Sequence, residues 1–239
     1  MKNLLIDLGN TRAKACEEQG GAFYDEFNEA SAEALLAALQ ATGRRYGKCL
    51  VCSVTDESPI LPGLRQLAGE VQVLSAQTPL PVRLGYESPA TLGPDRIAAV
   101  VGAWSLQPGR PALVIDLGTA VTYDLIDANG VYLGGNIAPG VRLRLEALHE
   151  KTGRLPLVTA APAQRLVATT TSEAILNGVM QGIRFEIEGY RRALSKKYPS
   201  ILTFLTGGDA KFFEIPAKSG IFVVPNLTLV GMSCIINRC

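Results

Sequence analysis

The sequence predicts an α/β protein made of a duplicated unit: two lobes, each a mixed sheet of three hairpin strands plus parallel strands with flanking helices. Three observations predict it. Residues 4–14 read LLIDLGNTRAK and residues 113–123 read LVIDLGTAVTY, so one core, apolar-Ile-Asp-Leu-Gly, occurs twice. Each copy leads into the same run of elements, hairpin strands first and then helices alternating with strands. A chain of 239 residues, 47% hydrophobic and 19% charged, has ample core material and is not disordered. The lobes are expected over 1–109 and 110–239.

In the first lobe, strands are expected near 3–7, 11–16 and 21–27, then a helix over 31–42. Ser31 is its N-cap and Gly43 its stop. Strand 48–54, helix 59–68 and strand 71–74 follow, and the run DRIAAVVGAWSL from Asp95 reads as a helix that becomes buried. In the second lobe, strands are expected at 112–116, 120–126 and 130–137, the last two joined by the turn Asp127-Ala128-Asn129-Gly130. A helix from Gly140, a long helix near 171–197, strand 201–206, a short helix, strand 221–224 and helix 226–237 complete it. The two lobes would leave a cleft between them. The long helix carries Ala174, Gly178 and Gly182 at spacing four. An interior helical glycine costs about 1 kcal/mol against alanine, so this smooth stripe implies tight packing, on the chain's own sheet or on another surface.

Composition removes several function classes. Lys+Arg at 23 against Asp+Glu at 22 leaves a net charge of +1, so no basic field would draw in nucleic acid or anionic lipid. Asp7 interrupts the N-terminal apolar run too early for a signal peptide. The uncharged run 219–237 contains Pro225, Asn226 and Asn237, and reads as a buried strand turning into a buried helix rather than a membrane span. The five cysteines, Cys16, Cys49, Cys52, Cys234 and Cys239, are odd in number and irregularly spaced, which disfavours a disulfide framework and suits a cytoplasmic chain. Cys49 and Cys52 lie three apart on a strand and face opposite ways. With His149 the only histidine, no zinc set can form.

An Asp at a strand end, followed by a glycine turn and an amide or hydroxyl residue, suits a phosphate ligand. The turn exposes backbone N–H groups to anionic oxygens, and glycine removes the Cβ that would block approach. The carboxylate's useful role is to hold a cation or the cation's waters. The rival phosphate motifs, G-x-x-x-x-G-K-[ST] and a strand-linked G-x-G-x-x-G, are absent from the sequence.

These duplicated hairpins resemble the acetate and sugar kinase/Hsp70/actin superfamily, and the detailed motifs resemble type III pantothenate kinase over residues 4 to about 231. The motif D-x-G-N-[ST]-x-x-K is met by Asp7, Gly9, Asn10, Thr11 and Lys14. A tyrosine ahead of L-G-x-D-R is met by Tyr86 and by Leu92, Gly93, Pro94, Asp95 and Arg96. Ile115, Asp116, Gly118, Thr119, Ala120 and Thr122 meet I-D-x-G-T-A-x-T. Gly134, Gly135, Ile137, Pro139 and Gly140 meet G-G-x-I-x-P-G, and Thr171, Ala174, Ile175 and Gly178 meet T-x-x-A-I-x-x-G. Thr206, Gly207, Gly208 and Asp209 meet T-G-G-D. Pro94 replaces the family's usual alanine, and Thr170 stands where asparagine often precedes the threonine.

The resemblance implies actin-like (ribonuclease H-like) lobes and ATP-dependent phosphorylation of pantothenate, the first step of coenzyme A biosynthesis. It implies ATP contacts from Asp7, Leu8, Gly9, Asn10, Thr11, Arg12, Ala13, Lys14 and Thr119. Tyr86, Gly93, Pro94, Asp95, Arg96 and Thr171 would contact pantothenate, with Asp95 catalytic. Asp7 would hold Mg²⁺ through water, and Asp116 a monovalent cation, K⁺ or NH₄⁺. It also implies a homodimer with composite substrate sites, Thr171 reaching the partner's pocket. The resemblance also leaves two alternatives: another small-molecule kinase of the superfamily, or a non-enzymatic regulator.

Overall fold

The computed structural model describes residues 1–163, 165–213 and 220–237. The chain forms two compact units, one of residues 1–109, 129–133 and 226–239, the other of residues 110–128 and 134–225. Cys239 lies outside the described residues.

In the first unit, β1 (Asn3–Leu8), β2 (Ala13–Gln19) and β3 (Ala22–Glu29) form an antiparallel meander. Then come α1 (Ala32–Ala41), β4 (Tyr46–Ser53), α2 (Leu61–Leu67) and β5 (Ala68–Val73), with β4 parallel to β1 and β5 parallel to β4. The sheet order is β3-β2-β1-β4-β5. Ser31 caps α1 by accepting the Ala34 N–H, as the sequence predicts. Strand β2 begins at Ala13 rather than near 11, because Gly9–Arg12 makes the turn.

Leu4, Ile6 and Leu8 alternate onto one face of β1 and join Leu35, Leu39, Ile60 and Leu64 of the α1–α2 side in a core cluster. The opposite face carries α3 (Pro94–Leu106) and α6 (Leu227–Asn237), which pack on each other and on β4. Both faces of β1 are covered, which explains its unbroken apolar run. A two-residue strand that sequence reading missed, β6 (Arg83–Leu84), pairs with the start of β9 (Val131–Pro139).

The second unit repeats the plan. Strands β7 (Ala112–Leu117) and β8 (Ala120–Ile126) form the hairpin that β9 continues, and β10 (Leu202–Thr206) and β11 (Ile221–Val223) add in parallel. The order β11-β10-β7-β8-β9 matches that of the first sheet read from its other edge. Leu113, Ile115, Leu117, Val121 and Tyr123 face α4 (Val141–Glu150) and α5 (Thr171–Lys197) in a second core. The core face of α5 is Ile175, Val179, Met180, Ile183 and Ile187. Ala174 and Gly178 are exposed, and a Cβ on Gly178 would meet no atom within 4 Å, so the small-residue stripe does not pack on the chain's own sheet. His149 is exposed near the end of α4, its Nδ1 at 2.8 Å from the Leu155 carbonyl.

The last helix, placed by sequence in the second lobe, packs into the first unit. Glycines allow it: a Cβ on Gly102 of α3 would strike the Leu227 carbonyl, and one on Gly231 of α6 would strike the Ala98 carbonyl. No described helix is long and apolar enough to cross a membrane.

Candidate active site

In the first unit, Asp7 precedes the last residue of β1 on the sheet face that carries α3 and α6, since Leu4, Ile6 and Leu8 take the other. Its neighbours in the ladder are Lys14 of β2 and Cys52 of β4. The turn between β1 and β2 closes through the Gly9 N–H, which donates to the Arg12 carbonyl at 3.0 Å. Asn10, Thr11, Arg12 and Lys14 are exposed, so the loop presents its amides, hydroxyl and cations outward.

Asp95 sits in the first turn of α3, after Pro94 near its start. Its Oδ1 accepts the Arg96 N–H at 2.8 Å. A Cβ on Gly93 would lie 2.5 Å from that same oxygen, so glycine leaves the carboxylate its room. Burial pushes the Asp7 carboxyl up to about 6; Lys14 opposes the rise and the Asp95 charge adds to it. Burial likewise raises the Cys52 thiol well above its ordinary value, with Asp7 and Asp95 contributing. Asp7 and Asp95 therefore lie within reach of each other's charge.

Arg96 is only 7% exposed, so its side chain is buried at the start of α3. Its Cζ stands 5.8 Å from the centroid of the half-buried Tyr86 ring. The structure thus gathers Tyr86, Gly93, Pro94, Asp95 and Arg96 around the start of α3. Tyr132, fully buried on β9 and stacked on Tyr86 with centroids 6.0 Å apart, was not found from sequence.

In the second unit, the β7–β8 turn is one residue shorter, with Gly118 N donating to the Ala120 carbonyl at 3.1 Å. Asp116 is consequently paired with Thr122, a hydroxyl where the first unit has Lys14. Gly140 N donates to the Thr119 carbonyl at 3.0 Å, and a Cβ on Gly140 would strike the carbonyls of Gly118 and Thr119. Asp209 N donates to the Leu117 carbonyl at 3.0 Å. Gly207, at φ 89°, faces the Asp116 Oδ1 and the Leu117 carbonyl, where a Cβ would clash. Burial raises the Asp209 carboxyl, with Lys211 opposing. Thr119 is exposed beside this cluster. Thr171 is the exposed first residue of α5, and Thr170 is its N-cap, accepting the Glu173 N–H at 3.3 Å.

The residues fit the implied ions differently. Among the described residues, no three His, Cys, Asp or Glu side chains gather as a metal cage. Mg²⁺ does not need one, since it keeps several waters and takes one or two carboxylates plus phosphates. Asp7, beside the negative charge of Asp95, suits that role. At Asp116, Gly207 lets the backbone pack closely against the carboxylate and the Leu117 carbonyl, and oxygens of this hard type are what a monovalent cation takes.

A family model described as type III pantothenate kinase matches residues 3–193. A type III pantothenate kinase from Bacteroides fragilis is 44% identical over 238 residues, covering 98% of this chain and 97% of that one. Two solved structures share the fold at lower identity. One, from Campylobacter jejuni, is titled as a Baf family transcriptional activator and has TM-score 0.63 at 23% identity, with 98% of each chain covered. The other, a 2-dehydro-3-deoxygalactonokinase protein from Sinorhizobium meliloti, has TM-score 0.61 at 12% identity, covering 99% of this chain and 98% of that one.

Proposed function

The chain belongs to the type III pantothenate kinase family, and we infer from that membership and from the site that it transfers the γ-phosphoryl group of ATP to the 4′-hydroxyl of pantothenate. The product, 4′-phosphopantothenate, enters coenzyme A biosynthesis. The observation that supports the site assignment is that Asp7 lies in the same unit as Asp95 and within reach of its charge, with Arg96, next to Asp95 on α3, set over the Tyr86 ring. Phosphoryl transfer passes through a loose transition state, so orientation outweighs basicity in the group that receives the hydroxyl proton. Asp95, held by the Arg96 N–H, aims the hydroxyl and takes that proton. Arg96 and Tyr86 bind the anionic substrate, with Gly93 and Pro94 shaping its edge.

Leu8, Gly9, Asn10, Thr11, Arg12 and Ala13 supply the nucleotide loop, Lys14 its counter-charge and Thr119 a further ATP contact. Asp7 would hold Mg²⁺ through water; that ion neutralises charge building on the phosphates. Asp116 would hold K⁺ or NH₄⁺. The exposed stripe of Ala174 and Gly178 on α5 serves as the face for a second copy, with Thr171 reaching the partner's substrate pocket. Cys16, Cys49, Cys52 and Cys234 are buried as thiols, in keeping with a cytoplasmic chain.

The test is purified protein incubated with ATP, Mg²⁺ and a panel of alcohols and sugars, with and without potassium. Mass spectrometry should show 4′-phosphopantothenate as the dominant, potassium-stimulated product, and the solution mass should be twice 25.4 kDa. Phosphorylation of a sugar in preference to pantothenate would overturn the assignment.

A further inference from the structure

Tyr86 has no secondary structure of its own, yet its surroundings are fixed. The chain just before it is clamped to the β9 strand: Arg83 N donates to the Gly130 carbonyl at 2.8 Å and Gly85 N to the Tyr132 carbonyl at 2.9 Å. Gly85 makes this approach possible, since a Cβ there would stand 3.0 Å from both the Tyr132 carbonyl and Val131 Cγ1. Beyond the clamp, the Tyr86 ring lies nearly parallel to that of Tyr132, at 14°, and the Arg96 guanidinium lies over it. Tyr132 is fully buried, so its own ring has one position.

We propose that Tyr132 is a positioning residue of the substrate site, its locked ring and backbone carbonyl setting the plane of Tyr86 and, through Tyr86, the place of the Arg96 guanidinium. The inference rests on the reading of Tyr86 and Arg96 as pantothenate contacts. A half-exposed tyrosine on a loop would otherwise sample several rotamers, and substrate binding would have to select one. Stacking on a fixed ring removes that selection before the substrate arrives. Tyr132 lies outside the motif segments, on the strand following the second hairpin, which is why motif reading passed over it.

Steady-state kinetics on Tyr132→Leu, Tyr132→Phe, Tyr86→Leu and the Tyr132/Tyr86 double Leu variant test this. Tyr132→Leu should raise the KM for pantothenate roughly three- to tenfold, the scale of an aromatic pair, while the KM for ATP stays put. Tyr132→Phe, which keeps the ring, should restore the wild-type value, and Tyr132→Leu should add nothing in the Tyr86→Leu background. If Tyr132→Leu does not fold, Gly85→Ala should give the same pantothenate-selective rise by pushing on the clamp without emptying the core. Equal shifts in both KM values, a pure loss of kcat, or additivity with Tyr86→Leu would overturn the proposal. If Tyr86→Leu alone leaves the pantothenate KM unchanged, the reading of Tyr86 as a substrate contact fails first. A Tyr86 effect without a Tyr132 effect overturns only the positioning role.

Discussion

Glu17 and Glu18 stand side by side on β2, 1% and 0% exposed, because both faces of this sheet are covered. The register shift opposite Cys16 and Glu17 leaves Asp25 of β3 as the extra residue, so β2 keeps its alternation and the two carboxylates take opposite faces. Glu17 accepts from Lys2 at 2.7 Å, Arg44 at 2.8 Å and Tyr46 at 3.0 Å. Glu18 accepts from Gly21 N at 2.7 Å, Asn3 and Asn237 at 2.9 Å, and Ser233 at 3.1 Å, so it fastens the last helix to the sheet. Burial alone would push both carboxyls up, but these donors outweigh it and hold both below the usual carboxylate value. In sequence, EEQ reads as a solvated strand end; nothing local announces a bulge or donors from position 237. With folded pKa values depressed, the unfolded chain binds more protons in acid. The stability is therefore full above the unfolded value of about 4.3 and lost as pH falls through the folded one. Glu18→Gln should lower stability at pH 7 by about 1–3 kcal/mol and flatten the acid-side decline. Melting temperature followed from pH 7 to pH 3 checks both.

At the scale of elements, the repeat read from two pentapeptides predicted two sheets of one topology, because like strand-turn sequences form like hairpins. The one-residue difference in turn length was not legible, since the expected strands 3–7/11–16 and 112–116/120–126 leave equal gaps; it decides that Asp7 faces Lys14 while Asp116 faces Thr122. β6 was not legible, since two residues carry no periodicity. Nor was the destination of α6, whose nearly all-round apolar surface names no partner. Its docking depends on backbone contact at Gly102 and Gly231. Helix propensity favours Gly231→Ala by about 1 kcal/mol. Its Cβ would meet only backbone, the Ala98 carbonyl and the Gly102 N–H, which cannot rotate away. Overpacking should win, with a net loss of about 1–3 kcal/mol and a melting point lower by several degrees. An unchanged or raised melting point would show that the α3–α6 contact has slack.

For the whole molecule, the first unit's main segment runs over 1–109, and 129–133 and 226–239 return to it. Motifs are contiguous in sequence and units are not, which is why the Tyr132 stack was invisible while the Asp95 segment was not. On the proposed function the two units would do separate work: Asp95, in the first, would aim the acceptor hydroxyl, and Asp116, in the second, would hold the cation that supports the nucleotide. The most direct measurement is the steady-state kinetics of Asp95→Asn and Asp116→Asn across a potassium titration. Asp95→Asn should cut kcat by about 10²–10⁴ with nucleotide affinity and potassium stimulation intact, whereas Asp116→Asn should raise the KM for ATP and abolish the response to potassium. An Asp95→Asn enzyme that turns over at the wild-type rate, or an Asp116→Asn enzyme with full potassium stimulation, would contradict it.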